Sequence, residues 1–122
     1  MQFNGDSSAH YSTSGYYQIG TAGTPQQNTQ ASGSSCIVGS FANGLVSSTI
    51  IDIPFYQSTT YGKIEIHHSI GLNAINSTTA NIDVGGSCGW QATSPVAITS
   101  ITFSPASGNF SNGTQFMILG QN

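Results

Sequence analysis

The sequence predicts an all-β fold: an antiparallel β-sandwich of the jelly-roll kind, with about seven or eight short strands and no significant helix. Two observations carry this. Apolar residues alternate over short runs, bounded by segments rich in Gly, Ser, Thr, Asn and Pro. No apolar set recurs at helical spacing over three turns, and the 15 glycines are spread along the chain. Residues 1–122 read as one domain, long enough to bury a core of its own.

In chain order, Gln2 and Phe3 form a short extended piece ahead of a turn at Asn4-Gly5-Asp6. Tyr16, Tyr17 and Ile19 mark a strand. Residues 21–35, TAGTPQQNTQASGSS, have no apolar period and are expected to be an exposed loop or an arm that reaches a neighbour. Cys36 to Val38 resumes a strand, and Phe41 to Leu45 is a turn. Ser47 to Phe55 is a strand with Ile51, Ile53 and Phe55 on one face and Pro54 at its end. Gly62 to Ile70 alternates: Ile64, Ile66 and His68 share one face, while Lys63, Glu65 and His67 share the other. Asn81 to Val84 is a short strand with Ile82 and Val84 inward and Asp83 outward. Gly85-Gly86-Ser87-Cys88-Gly89 then turns the chain into Trp90. The last third reads as a closing hairpin of two strands, Val96 to Phe103 and Thr114 to Leu119, around SPASGNFSNG.

Charge is the unusual quantity. Only 4% of residues are charged, against roughly 25% in ordinary soluble domains. Lys63 is the one basic residue, and Asp6, Asp52, Glu65 and Asp83 are the acids. A net charge of −3 cannot form the cationic footprint that nucleic acid or an acidic membrane requires. No run approaches the ~18 apolar residues of a membrane helix. MQFNGDSS lacks the basic and apolar regions of a signal peptide. A neutral hydroxyl- and amide-rich surface suits a subunit of an assembly, where long charged side chains are costly to bury.

The reactive residue types do not assemble into a known chemistry. His67 and His68 are adjacent on a strand and point to opposite faces, so they cannot readily share a metal. No nucleophile elbow is present. Asp52 and Glu65 are both placed on strands, but no pair of acids can be assigned to one cleft. The chain is therefore read as a non-enzyme without cofactor or metal. Cys36 and Cys88 are expected to be free buried thiols, with a disulfide as the alternative. Tyr16, Tyr17 and Trp90 are the candidate contacts for a glycan or a protein partner, because aromatic rings stack on sugars; the competing place for Trp90 is the core.

Three stretches in order, FNGDSSAHY (Phe3 to Tyr11), VSSTIIDIPFYQSTTYGKI (Val46 to Ile64) and GWQATSPVAITSITFSPASGNFSNGTQFMILG (Gly89 to Gly120), resemble a small module of tailed-bacteriophage virion proteins. That resemblance implies a jelly-roll-like structural component of capsid surfaces, fibres or tails, with no catalytic residue to carry over. Such modules often have one or two further strands before the Phe-Asn-Gly-Asp segment, so here either a partner subunit supplies that sheet edge or the sandwich is smaller. They also usually end on an aromatic before the final glycine, where this chain has Ile118-Leu119-Gly120. The expectation is a capsid decoration (cement) protein on the virion surface, assembled in the host cytoplasm. Its partners would be the major capsid protein and copies of itself, with a trimer the arrangement the resemblance implies. It would clamp neighbouring capsid subunits by hydrogen bonds and apolar burial. The alternative is a lectin-like host-recognition module binding surface glycans.

Overall fold

The structure, a computed structural model, describes residues 1–19, 24–39, 47–72 and 81–120. Seven strands occur there: β1 (Gln2–Phe3), β2 (Tyr11–Ile19), β3 (Gln26–Gly33), β4 (Ser47–Asp52), β5 (Lys63–Leu72), β6 (Asn81–Trp90) and β7 (Ile101–Thr102). Five form one antiparallel sheet in the order β3-β2-β6-β5-β4, and β1 pairs with β7 in a two-stranded ribbon. The all-β, antiparallel expectation holds, as does the turn at Asn4-Gly5, where both residues have positive φ. The five-plus-two division of the described strands differs from the eight-stranded double sheet of a jelly roll.

The central strand is β6. It pairs with β2 from Tyr11↔Trp90 to Ile19↔Ile82, and with β5 from Lys63↔Trp90 to Leu72↔Asn81. Gly85 to Gly89 therefore lie inside a strand and not in a turn. The glycines serve close approach: a Cβ on Gly86 would stand 2.7 Å from Ser14 O, and one on Gly15 would stand 2.6 Å from Gly85 O.

One face of the sheet, here called inner, carries the core. Tyr11 of β2 and Val84, Cys88 and Trp90 of β6 point to it, and all are buried. Met1, Phe3, Cys36 and Ile98 cover them, with Val38, Ile51, Ile53, Tyr56, Ile101 and Phe103 packed around. Phe3, Tyr11 and Trp90 form an aromatic trio with ring centroids 5.5–6.3 Å apart. The Asn4 side chain staples the covering layer: Nδ2 donates to Ala97 O, and Oδ1 accepts from the Thr99 and Ser100 amides.

Several expectations are corrected. Residues 26–33 are not a loop or arm but an edge strand, whose polar residues pair along β2; residues 21–23 lie outside the described residues. Cys36 to Val38 is not a strand. Ile51 and Ile53 do face the core, but Phe55 turns out to solvent, because its backbone is left-handed at φ 55°. The closing hairpin is absent. Its first half contributes only the short β7, which pairs with β1, and Thr114 to Leu119 forms no strand. The turn expected at Phe41 to Leu45 lies outside the described residues.

The cysteines are not free thiols: Cys36 and Cys88 are joined, with Cα atoms 5.6 Å apart. Cys88 points inward from β6, and a hydrogen-bonded segment holds Cys36 against it. Ile37 N donates to Thr13 Oγ1, Cys36 N donates to Met1 O, and Ser69 Oγ donates to Val38 O. The bond closes a loop across 52 positions, so it restricts the unfolded chain strongly. The double variant Cys36→Ala/Cys88→Ala is expected to lose about 2–4 kcal/mol in urea denaturation. Dithiothreitol should move the wild type to the same midpoint and leave the variant unchanged.

Candidate functional site: the uncovered face of the sheet

Strand β5 is folded with its polar side inward. Lys63, Glu65, His67 and Ser69 are buried, while Ile64, Ile66 and Ile70, with Ile50 of β4, are 52–73% exposed on the opposite, outer face. Alternation predicts the two sets correctly but not which set the core takes. Each buried polar group has a partner. Lys63 Nζ donates to the carbonyls of Ser58 and Tyr61. His67 Nδ1 lies 3.0 and 3.1 Å from the two oxygens of Glu65. Ser69 Oγ bonds to Val38 O and to Thr49 Oγ1.

The isoleucines gain little from this arrangement. Completing the burial of each would be worth roughly 1 kcal/mol or more at 25 cal/mol per Å². A row of half-exposed isoleucines on a sheet face has the character of a contact surface.

Next to that row, the outer face sinks into a trough over β2 and β6. Ser12, Ser14, Ser87 and Gly89 line its floor, with Ile64 on one side and Thr29 and Ala31 of β3 on the other. Tyr16 projects from the same face, 44% exposed, its ring lying against Gly85. His68 Nε2 meets Asp83 Oδ1 at 2.8 Å. With Asp52, these are the ionisable groups that the strands place on the outer face among the described residues.

A second apolar surface lies at residues 110–119. Phe116, Met117, Ile118 and Leu119 are 55–84% exposed and belong to no strand. Phe116 is the anchored one, stacked on Phe103 at 5.1 Å and edge-on to Phe110 at 5.2 Å.

The three predicted contact residues do not come together. Tyr16 is on the outer face. Tyr17 belongs to the inner set and is half-buried. Trp90, 2% exposed, is a core residue whose Nε1 donates to Asp6 Oδ2 at 2.8 Å, so it cannot stack on a ligand. His67 and His68 fall on opposite faces as expected. So do Glu65 and Asp52, which cannot converge on one cleft. Among the described residues, no three His, Cys, Asp or Glu side chains are grouped as metal ligands. Sequence reasoning missed the trough, and only the alternation of serine and glycine in β2 and β6 hints at it.

Asp6 ties the first turn to the sheet. Its carboxylate accepts from Trp90 Nε1 and the Ser8 amide, and His10 Nδ1 lies 2.8 Å away. These bonds, Trp90's first, hold the carboxyl well below the usual carboxylate range. Its contribution to stability is complete above the ordinary value of 3.8 and is lost as pH falls through the depressed one. Thermal melts should show the wild type losing stability below about pH 4 more steeply than Asp6→Asn, which starts lower and lacks this component. For the buried pair, His67→Leu leaves the Glu65 carboxyl unpartnered and should cost about 1–3 kcal/mol or more. His68→Ala, at a half-exposed pair, should cost less than about 1 kcal/mol in the same denaturation assay. No protein-family model, no curated protein and no solved structure matches this chain.

Proposed function

We propose that this chain is a structural protein of a tailed-bacteriophage virion, a capsid decoration protein that binds the major capsid protein shell and stabilises it. The observation that carries this reading is the row of half-exposed isoleucines, Ile50, Ile64, Ile66 and Ile70, on one sheet face of a chain that is only 4% charged. A subunit with so little charge gains nothing from ion pairs and must bind by apolar burial and hydrogen bonds. The resemblance of Phe3 to Tyr11, Val46 to Ile64 and Gly89 to Gly120 to phage virion modules supports the same reading. The Cys36–Cys88 bond suits a particle that persists in oxidising surroundings after release.

A second reading has its own observation. Tyr16 stands exposed beside a trough floored with serine hydroxyls, which is the equipment of a neutral glycan site. Trp90, once a candidate for that role, is unsuited to it by burial.

Gold-labelled antibody on purified virions separates the two. Label over the whole head is the expected result; label restricted to the tail or a few spikes would reject decoration and favour the glycan reading. Binding to stripped capsids should also vary little between low and high salt, because few charges are present to screen. A steep loss of binding with salt in a sedimentation assay would contradict the apolar mechanism. Ile66→Lys should weaken capsid binding at least tenfold while leaving the thermal midpoint nearly unchanged, since Ile66 is already half-exposed and the new ammonium would stand across from Asp52.

A further inference from the structure

We propose that the segment Thr114–Gly120 of one copy of this chain docks in the serine-floored trough of a second copy, joining copies head to tail. The inference builds on the reading of the chain as an assembly subunit, but it does not depend on what that assembly coats.

Two surfaces lack cover among the described residues, and neither carries a charged side chain. The segment reads TQFMILG. Met117, Ile118 and Leu119 are at least 75% exposed, and Phe116 alone has ring partners. Large apolar side chains held in water lose the burial that makes their presence worthwhile. The trough is the complementary shape. Its floor is made of small residues, Ser12, Ser14, Ser87 and Gly89, and Ile64 forms an apolar wall. Long side chains from above would fill it, and the serine hydroxyls are available to a segment whose backbone amides are not engaged in a sheet.

Charge selects the occupant. Residues 91–122 contain no Asp, Glu, Lys, Arg or His, and none of the trough-lining residues is ionisable. A charged peptide would be desolvated on this surface without compensation. The chain's own uncharged tail would not.

The geometry also favours a second copy over the same one. Phe116 stacks on Phe103, which packs against the core cluster on the inner face, whereas the trough opens on the outer face. Within one copy the donor and acceptor surfaces lie on opposite sides of the sheet. A contact between unlike surfaces is heterologous, and it leaves neither exposed only when the copies close into a ring.

Light scattering on the purified chain should give a multiple of 12.6 kDa. Two variants are then compared: one ending at Gly113, and Ser87→Trp, which fills the floor. Each alone should scatter as a monomer with a cooperative melt. Mixed, they should form a heterodimer, because one retains the trough and the other the tail. As a check that does not depend on either variant folding, a photo-crosslinker at exposed position 117 of the full chain should label peptides containing Ser12, Ser14 or Ser87 of another copy. A wild type that remains monomeric at 100 micromolar, about the range of weak specific contacts, would overturn the proposal. So would crosslinks confined to other peptides, or binding of the tail to phosphatidylcholine vesicles by a monomer. A monomer that still decorates virion heads would reject this contact and leave the capsid reading standing. A head-to-tail oligomer absent from heads would do the reverse.

Discussion

The polar side of β5 must be satisfied without water, and much of the structure follows from how this is done. Lys63, Glu65, His67 and Ser69 cannot be moved outward one at a time, because β5 pairs with β6 along its whole length. Trp90, Cys88 and Val84 have to face the core, and antiparallel partners share a face, so Lys63, Glu65 and Ser69 are carried inward with them. A slip of one residue would exchange the two sets and put the isoleucines inside. It would also release Ser69 from Val38 and Lys63 from the Ser58–Tyr61 turn. The segment that carries Cys36 would then lose one of the bonds that hold it to the sheet.

A buried Glu–His pair is weak evidence for stability, since desolvation offsets much of its attraction and apolar replacements of similar volume are often neutral or better. What the arrangement secures is placement. The inner polar row holds residues 34–39 flat across the sheet through Thr13 and Ser69, and that layer completes the core beside Met1 and Phe3. The same choice puts four isoleucines on the far side, where none of the described residues buries them. An isolated domain would gain by the opposite choice. An interface subunit would not.

The readable part of this fold is its alternation. The two faces of β5, the inward set Ile82 and Val84, and the opposite pointing of His67 and His68 all follow from the period-2 geometry of a strand. The unreadable part comes from residues whose usual role was overridden by their neighbours. β3 has no apolar alternation because it is an edge strand that binds through its backbone to β2. Gly85 to Gly89 look like a turn, since glycine serves both turns and close strand approach, and only the pairing with β2 decides between them. FMIL at 116–119 has the composition of a strand but finds no strand partner among the described residues. Trp90 was legible as a core plug or a stacking platform, and the bond from its Nε1 to Asp6 is invisible without the long-range contact.

These overridden segments have something in common. The glycine-and-serine strands make a hollow on the outer face, and the unpartnered FMIL makes a protrusion anchored on the inner side. Each violates local expectation within one chain: small side chains where a sheet normally packs bulk, and bulk where a surface is normally polar. In the proposed head-to-tail contact, two violations of opposite sign would cancel. The near absence of charge fits the same logic, because a protein that stays monomeric in water generally relies on charge to keep its surfaces apart. With a single lysine and four acids, of which Lys63 and Glu65 are buried, this chain has little repulsion to oppose association. The proposed head-to-tail contact would therefore meet little electrostatic opposition.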